Sequence, residues 1–427
     1  MKSKFWNYIF WLVIAAAFIG PGTVTTAASA GANYQFQLLW ALLFSTLACI
    51  VVQEAAARVA ILNRKSLGQL IKERFNKSVL AWFIGVSIFL GCLAYEAGNI
   101  LGAISGLALL NFNIPQWVFT TLIAGVSILL LYLGKTKVVP QVLGALVAIM
   151  GIGLFYAASQ IDLNYAEVVK GLLIPQLPEG STLIVLGLIG TTIVPYNIFL
   201  GSGLAEGRAL KSVRSGLIFS ILLGGLVSMA VLLVGTSVVN EFSFGNLYQS
   251  LVADHGLAMG YLFAFGLFGA GFTSTITAAL AGALTIRSIH PNGQSWSDNS
   301  LRFRVLWGSI IFIGFGFGVS GIRPIPVIIA AQAANGLILP ILTFALLILV
   351  NHKSLGEYIN GLGLNVAMLV TLFVTSILGL INVSKAVHTL LKMSFSFTGY
   401  NQWLIFIVSG LITLFAIRAV QKERKLA

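Results

Sequence analysis

The sequence predicts an all-α integral membrane protein of about twelve transmembrane helices, two of them broken near mid-depth. Three observations predict it. First, 58% of the 427 residues are hydrophobic and only 9% are charged, where soluble domains carry about a quarter charged residues. Second, apolar runs fall at 6–31, 36–60, 79–106, 116–134, 140–160, 182–205, 213–237, 257–286, 304–321, 325–350, 362–382 and 402–419. A bilayer core of about 30 Å takes roughly 20 apolar residues per helix. Third, with alternate loops on alternate sides, 21 of the 25 Lys and Arg lie on one side, leaving Lys170, Arg323, Lys385 and Lys392 on the other. That asymmetry is the positive-inside rule for an even number of helices. It predicts a multi-pass plasma-membrane protein with both termini cytoplasmic. The formal charge of +13 is then a topology signal, and no nucleic-acid partner is expected.

Taken in order, span one follows Lys2 and Lys4 and continues at once into another span, so it reads as a retained helix and not as a cleaved signal. It contains "FIGPGTVTT" (Phe18 to Thr26). Pro21 has no N–H and clashes with the preceding turn, so the helix breaks there. Span two carries Glu54, with Arg58 one turn on, the spacing of an ion pair. Span three holds "YEAGNILGA" with Glu96 deep inside it; an intramembrane carboxylate is a functional candidate. Cys49 and Cys92, in spans two and three, read as small core residues. The loops near 161–181, 238–256, 287–303 and 383–401 are too short to hold a core.

Span six contains "GTTIVPYNIFLGSG" (Gly190 to Gly203). Pro195 breaks it, and Val194 before it is pushed out of the helical region. Spans one and six are separated by an odd number of crossings. A repeat beginning at span six therefore enters from the opposite face, the signature of one class of secondary transporters. The expected units are 1–160, 161–350, and a C-terminal pair of helices with a basic tail, 351–427. Irregular backbone at membrane depth is tolerated only where it lines a cavity or is buried in protein, so the two breaks mark the expected substrate site.

Several stretches carry a family resemblance. "AGANYQFQLLW" after the first break, "QEAAARVAILNRKSLGQLI" after span two, "FGLFGAGFTSTITAALAG" in span eight and "AAQAANGLILPI" in span ten resemble the Nramp family of proton-coupled divalent-metal transporters, which share the LeuT-type inverted-repeat fold. The family's Asp-Pro-Gly-Asn motif falls here on Gly20, Pro21, Gly22 and Thr23, and its Met-Pro-His motif on Val194, Pro195 and Tyr196. The residues that make the breaks are kept; the side chains that hold the metal are replaced. The resemblance also places Gln332 near the substrate path and puts Glu96 and Asn99 on two acids associated with proton movement.

Transition metals favour soft or imidazole ligands, and neither break offers one. The half-helix after Gly22 presents free N–H groups and a positive dipole end. Thr23, Thr25, Thr26, Thr191, Thr192, Tyr196 and Asn197 are candidate hydrogen-bond donors, with Thr23, Thr191 and Tyr196 at or beside the motif positions. The expected function is therefore secondary transport of a small inorganic anion such as bicarbonate, or of a small zwitterion, by alternating access, coupled to a proton or sodium. The expected binding residues are Gly20, Pro21, Gly22, Thr23, Thr191, Val194, Pro195, Tyr196, Asn197 and Gln332, with Glu96 and Asn99 for coupling. Two alternatives stand beside it: a divalent cation transporter (magnesium or manganese) with a rebuilt site, and a non-transporting receptor. With no cofactor motif, His or Cys constellation or hydrolase elbow, neither an enzyme nor a cofactor is expected.

Overall fold

A computed structural model of the chain describes residues 2–75, 78–111, 114–133, 149, 151–238, 242–325, 327–328, 336, 338–390, 395 and 397–425. Gln332, the first part of span five and the first part of span ten lie outside the described residues, as do Lys77, Lys135, Lys137 and Lys392 of the charge pattern. Among the described residues there is no strand.

Span one is two helices, α1 (Lys2–Phe18) and α2 (Pro21–Tyr34), bent by 65° at the break. Gly20, ahead of Pro21, is extended at φ −107° and ψ −177°, the conformation a pre-proline residue prefers. α3 (Leu39–Asn63), a short α4 (Leu67–Phe75), α5 (Ser78–Ala108) and α6 (Gln116–Leu133) follow. After the loop helix α7 (Tyr165–Leu173), span six divides into α8 (Thr182–Thr192) and α9 (Pro195–Ala205). Val194 is extended at φ −94° and ψ 123°, with Pro195 opening α9. This second break is gentler, and residues Thr182–Ala205 still read as one span. The remainder is α10 (Leu210–Gly235), α11 (Phe244–His255), α12 (Leu257–Ile289), α13 (Leu301–Val319), α14 (Leu339–Leu349), α15 (Leu362–Leu390) and α16 (Gly399–Lys425).

Among the described residues, nine stretches are long and apolar enough to cross a membrane, ten with the bent pair. They match ten of the twelve expected spans; α14 is the described end of span ten, and helical residues 151–159 that of span five. The last two spans end later than the sequence reading has them, α16 at Lys425 against 419. α15 runs eight residues past the expected end at 382, to Leu390, because the polar stretch there contains no helix breaker. The short helices α4, α7 and α11 were not expected, α7 and α11 lying in stretches read as loops, because they are short and amphipathic rather than apolar runs.

The long helix α12 is the axis of the molecule, packed on α1, α5, α9, α11 and α13. Its approach to α5 is close enough that a Cβ on Gly271 would lie 2.4 Å from the Ala103 nitrogen and 2.6 Å from the Asn99 carbonyl oxygen. α2 meets α10 in the same way: a Cβ on Gly31 would lie 2.0 Å from the Leu232 carbonyl oxygen. Small residues that let backbones touch are how membrane helices pack. These two contacts hold the first break between α5, α8, α10 and α12.

At one end of the bundle a buried polar network ties distant helices together. Glu54 pairs with Arg58 at 3.1 Å, as its spacing predicts, and also with Arg214 of α10 at 2.7 Å. Arg58 donates to the Tyr358 carbonyl and the Asn360 side chain. Asn360 and Asn351 both donate to Asn365 of α15, at 3.1 and 2.9 Å. From α16, Arg424 donates to the Asn351 side chain at 2.8 Å and to the Asn360 carbonyl. Glu423 of α16 is buried and pairs with Arg74 of α4.

Candidate transport site between the two helix breaks

The two breaks meet. Gly20, Gly22 and Thr23 from the first, and Thr191, Val194 and Tyr196 from the second, line one small cavity with Ala17, Phe18, Tyr95, Asn99 and Ser274. Its volume is about 10 Å³, roughly the room of a single water. In this conformation the site has room for no larger solute.

The wall chemistry follows from the last turn of α1. A helix end leaves carbonyl groups without intrahelical partners, and a buried carbonyl left unpaired is costly. Here the chain's own side chains satisfy them. Tyr196 donates its hydroxyl to the Ala17 carbonyl at 2.8 Å, Thr23 to the Phe18 carbonyl, and Ser274 to the Ala16 carbonyl over a longer 3.4 Å. Asn197 donates to the Ile14 carbonyl at 3.3 Å. Thr191 donates back to Leu188 at 3.2 Å in its own helix. A hydroxyl has one hydrogen to give and two lone pairs. Three of the donors expected for a substrate, Thr23, Thr191 and Tyr196, therefore already have their hydrogens engaged by carbonyls. What the Thr23, Tyr196 and Ser274 oxygens have left is lone pairs. This corrects the expectation of a donor-rich pocket.

Other expected residues divide in two. Pro21 and Pro195 shape the breaks without lining the cavity; Pro21 lies against Gly102 of α5, where an added Cβ would be 2.2 Å from the proline Cβ. Asn197 is turned away from the cavity, and its carbonyl accepts from Gln53 at 3.0 Å. Glu96 is fully buried and does not line the cavity. Its Oε2 faces Asn99 Nδ2 at 3.5 Å, while its Oε1 has no hydrogen-bond partner among the described residues.

Sequence reasoning missed Tyr95 and Ser274. Tyr95 packs edge-on to Tyr196, ring centroids 5.7 Å apart. It lies one turn from Asn99, so helical spacing placed both on one face. Ser274 sits in a run of hydroxyl residues, Thr273 to Thr275 and Thr277, and no local signal says which faces the break. Among the described residues no three His, Cys, Asp or Glu side chains gather into a metal-binding group.

A second, larger cavity of about 440 Å³ opens one turn further along α9, from Phe199 to Glu206, between α1, α12 and α13. Its lining includes Arg64, Glu206, Arg287 and Asp298, with Arg287 and Asp298 paired at 2.6 Å. Burial raises the Glu206 carboxyl above the ordinary carboxylate range, and the Arg287 charge acts against that.

Comparisons with known proteins agree with this architecture. The chain is 25% identical over 412 residues to a divalent metal cation transporter, MntH, of Granulibacter bethesdensis, covering 86% of this chain and 89% of that one. A manganese transporter structure from Eremococcus coleocola superposes with a TM-score of 0.76 at 22% identity, covering 99% of this chain and 94% of that one. A Na+-coupled sialic acid symporter shares the fold more distantly, with a TM-score of 0.59 at 13% identity over 97% and 89% of the two chains. The family model described as natural resistance-associated macrophage protein-like matches residues 11–385: the chain belongs to the Nramp family of membrane transporters.

Proposed function

We propose that this transporter moves a small divalent cation that keeps part of its water shell, through the site between the two helix breaks. The observation that carries the reading is the state of the hydroxyls. Thr23, Tyr196 and Ser274 give their hydrogens to the last carbonyls of α1, so they offer the cavity oxygen lone pairs that accept from water. Hard cations take oxygen ligands, and magnesium in particular sheds water reluctantly. The lining contains no carboxylate, imidazole, thiolate or thioether, so a dehydrated transition metal has little to replace its waters. Relatives named as divalent metal transporters support the cation over the small anion expected from sequence.

A second reading keeps the anion, bicarbonate or a small zwitterion. The absence of fixed negative charge on the lining favours it, as do the helix N-termini at Pro21 and Pro195, which suit anions. Against it, each hydroxyl must leave a carbonyl before it can donate.

Proteoliposome uptake separates the two. Magnesium or manganese accumulation without bicarbonate uptake is the expected result; bicarbonate uptake that divalent ions leave unaffected overturns the cation reading. The cavity has to widen to admit a hydrated ion, which fits alternating access around a fixed mid-membrane site. In this reading the repeat units are 1–160 and 161–350, with 351–427 outside them. Both termini face the cytoplasm of a plasma-membrane protein, the larger cavity is the cytoplasmic vestibule, and Glu96 with Asn99 serves coupling to a proton or sodium.

A further inference from the structure

Gly20 and Ser274 occupy one space between them. A Cβ built on Gly20 would lie 2.8 Å from the Ser274 Oγ, 3.5 Å from the Ser274 Cβ and 3.7 Å from the Asn99 Oδ1. The first distance is shorter than such atoms approach, and the other two are ordinary contacts. Any side chain at position 20 therefore displaces the serine hydroxyl specifically. Ser274 is buried, and its hydroxyl is tied to the Ala16 carbonyl at 3.4 Å. To make room it must rotate off that carbonyl.

We infer that Ser274 is a specificity-determining residue of the transport site: its neutral hydroxyl fills the volume where a charged side chain on the first break would stand. The inference rests on the break being the substrate site, and it goes beyond that reading in assigning α12 a part in selectivity. With serine present and glycine at 20, the break is lined by uncharged oxygen, and an ion must bring its own waters. With Ser274 shortened, position 20 gains room for a carboxylate that can bind a metal directly. The two positions are thereby coupled across two helices, α12 and the α1–α2 break.

The test is a double-mutant cycle on the purified full-length protein, with magnesium and manganese affinities measured by calorimetry for wild type, Gly20→Asp, Ser274→Ala and Gly20→Asp/Ser274→Ala. Contacting residues are the ones whose effects fail to add. The expected result is a manganese-to-magnesium affinity ratio in the double variant at least about tenfold above the product of the single effects, since coupling of this size is ordinary for residues in contact. Ser274→Ala alone, which removes one oxygen and only a long 3.4 Å hydrogen bond to the Ala16 carbonyl, is expected to weaken magnesium several-fold. Where wild type binds either ion, additive single effects overturn the inference, as does a Ser274→Ala protein with wild-type affinities for both. If Gly20→Asp fails to fold, the Ser274→Ala result decides alone. Wild type binding neither metal while the double variant binds manganese would overturn the cation reading and support this one. No metal binding by any of the four proteins would overturn both.

Discussion

At the scale of single residues, the site depends on who caps the end of α1. Tyr196→Phe removes the hydroxyl that reaches the Ala17 carbonyl at 2.8 Å and leaves that buried acceptor unpaired. The expected cost is about 1–3 kcal/mol, seen as a lower melting temperature, together with weaker cation uptake because one lining oxygen is lost. An unchanged melting temperature would mean water replaces the hydroxyl. Glu96→Gln addresses coupling. It keeps the shape of a fully buried side chain and removes its ability to take up and release a proton. Substrate binding is expected to persist while a pH gradient stops driving uptake; gradient-driven uptake at the wild-type rate would exclude Glu96 from coupling. The motif positions Gly20, Thr23, Val194 and Tyr196 were legible in the sequence because the breaking prolines anchor them. The direction of each hydroxyl was not. Whether Thr23 donates to a substrate or to the Phe18 carbonyl depends on where α1 ends relative to α2, which is a matter of bend and not of residue type.

At the scale of elements, the breaks were legible because proline and the residue before it have few conformations, and span six appears with the bounds hydropathy gave it. Hydropathy missed α4, "LGQLIKERF", because a short amphipathic helix is not an apolar run. Helix contacts were not legible either. The chain has 45 glycines, and only the structure separates those that let backbones touch from those that face open space. Gly271→Ala places its Cβ 2.4 Å from the Ala103 nitrogen of α5, where backbone cannot step aside. α5 and α12 must part, at an expected cost of about 1–3 kcal/mol. Asn99 lines the cavity from α5 and Ser274 from α12, so uptake is expected to fall with stability. Gly316→Ala on α13 has no atom within 4 Å of the added Cβ; it should leave uptake intact and raise stability by up to about 1 kcal/mol through helix propensity. Equal melting temperatures for the two variants would mean that α5 and α12 are not held backbone to backbone at Gly271.

At the scale of the whole molecule, the polar network joins parts of the chain that hydropathy treats as separate. Its local piece, Glu54 with Arg58 at i and i+4, was legible. Its distant pieces were not: Arg214 comes from a different helix and Asn360 from a loop, and only the fold brings them to Glu54 and Arg58 and brings Arg424 of the last helix to Asn360. Asn360 is the joint. Its side-chain oxygen accepts from Arg58 of α3 and its carbonyl accepts from Arg424 of α16. Arg58 is 2% exposed, and removing one partner of a buried pair typically costs about 3–5 kcal/mol. Arg58→Ala should therefore lower the melting temperature sharply, leaving Glu54 with Arg214 alone. Arg424→Ala, near the surface, should cost less, about 1.5–3 kcal/mol for hydrogen bonds from a charged group. Once Arg58 is gone the loop around Asn360 is no longer held against α3, and Arg424 then anchors α16 to a segment already released. The double variant is accordingly expected to lose about 1 kcal/mol or more less than the sum of the single losses, the sign of a shared partner. Thermal unfolding of the four purified proteins measures it, and strictly additive losses would mean that α16 is held independently of the α3 side of the network.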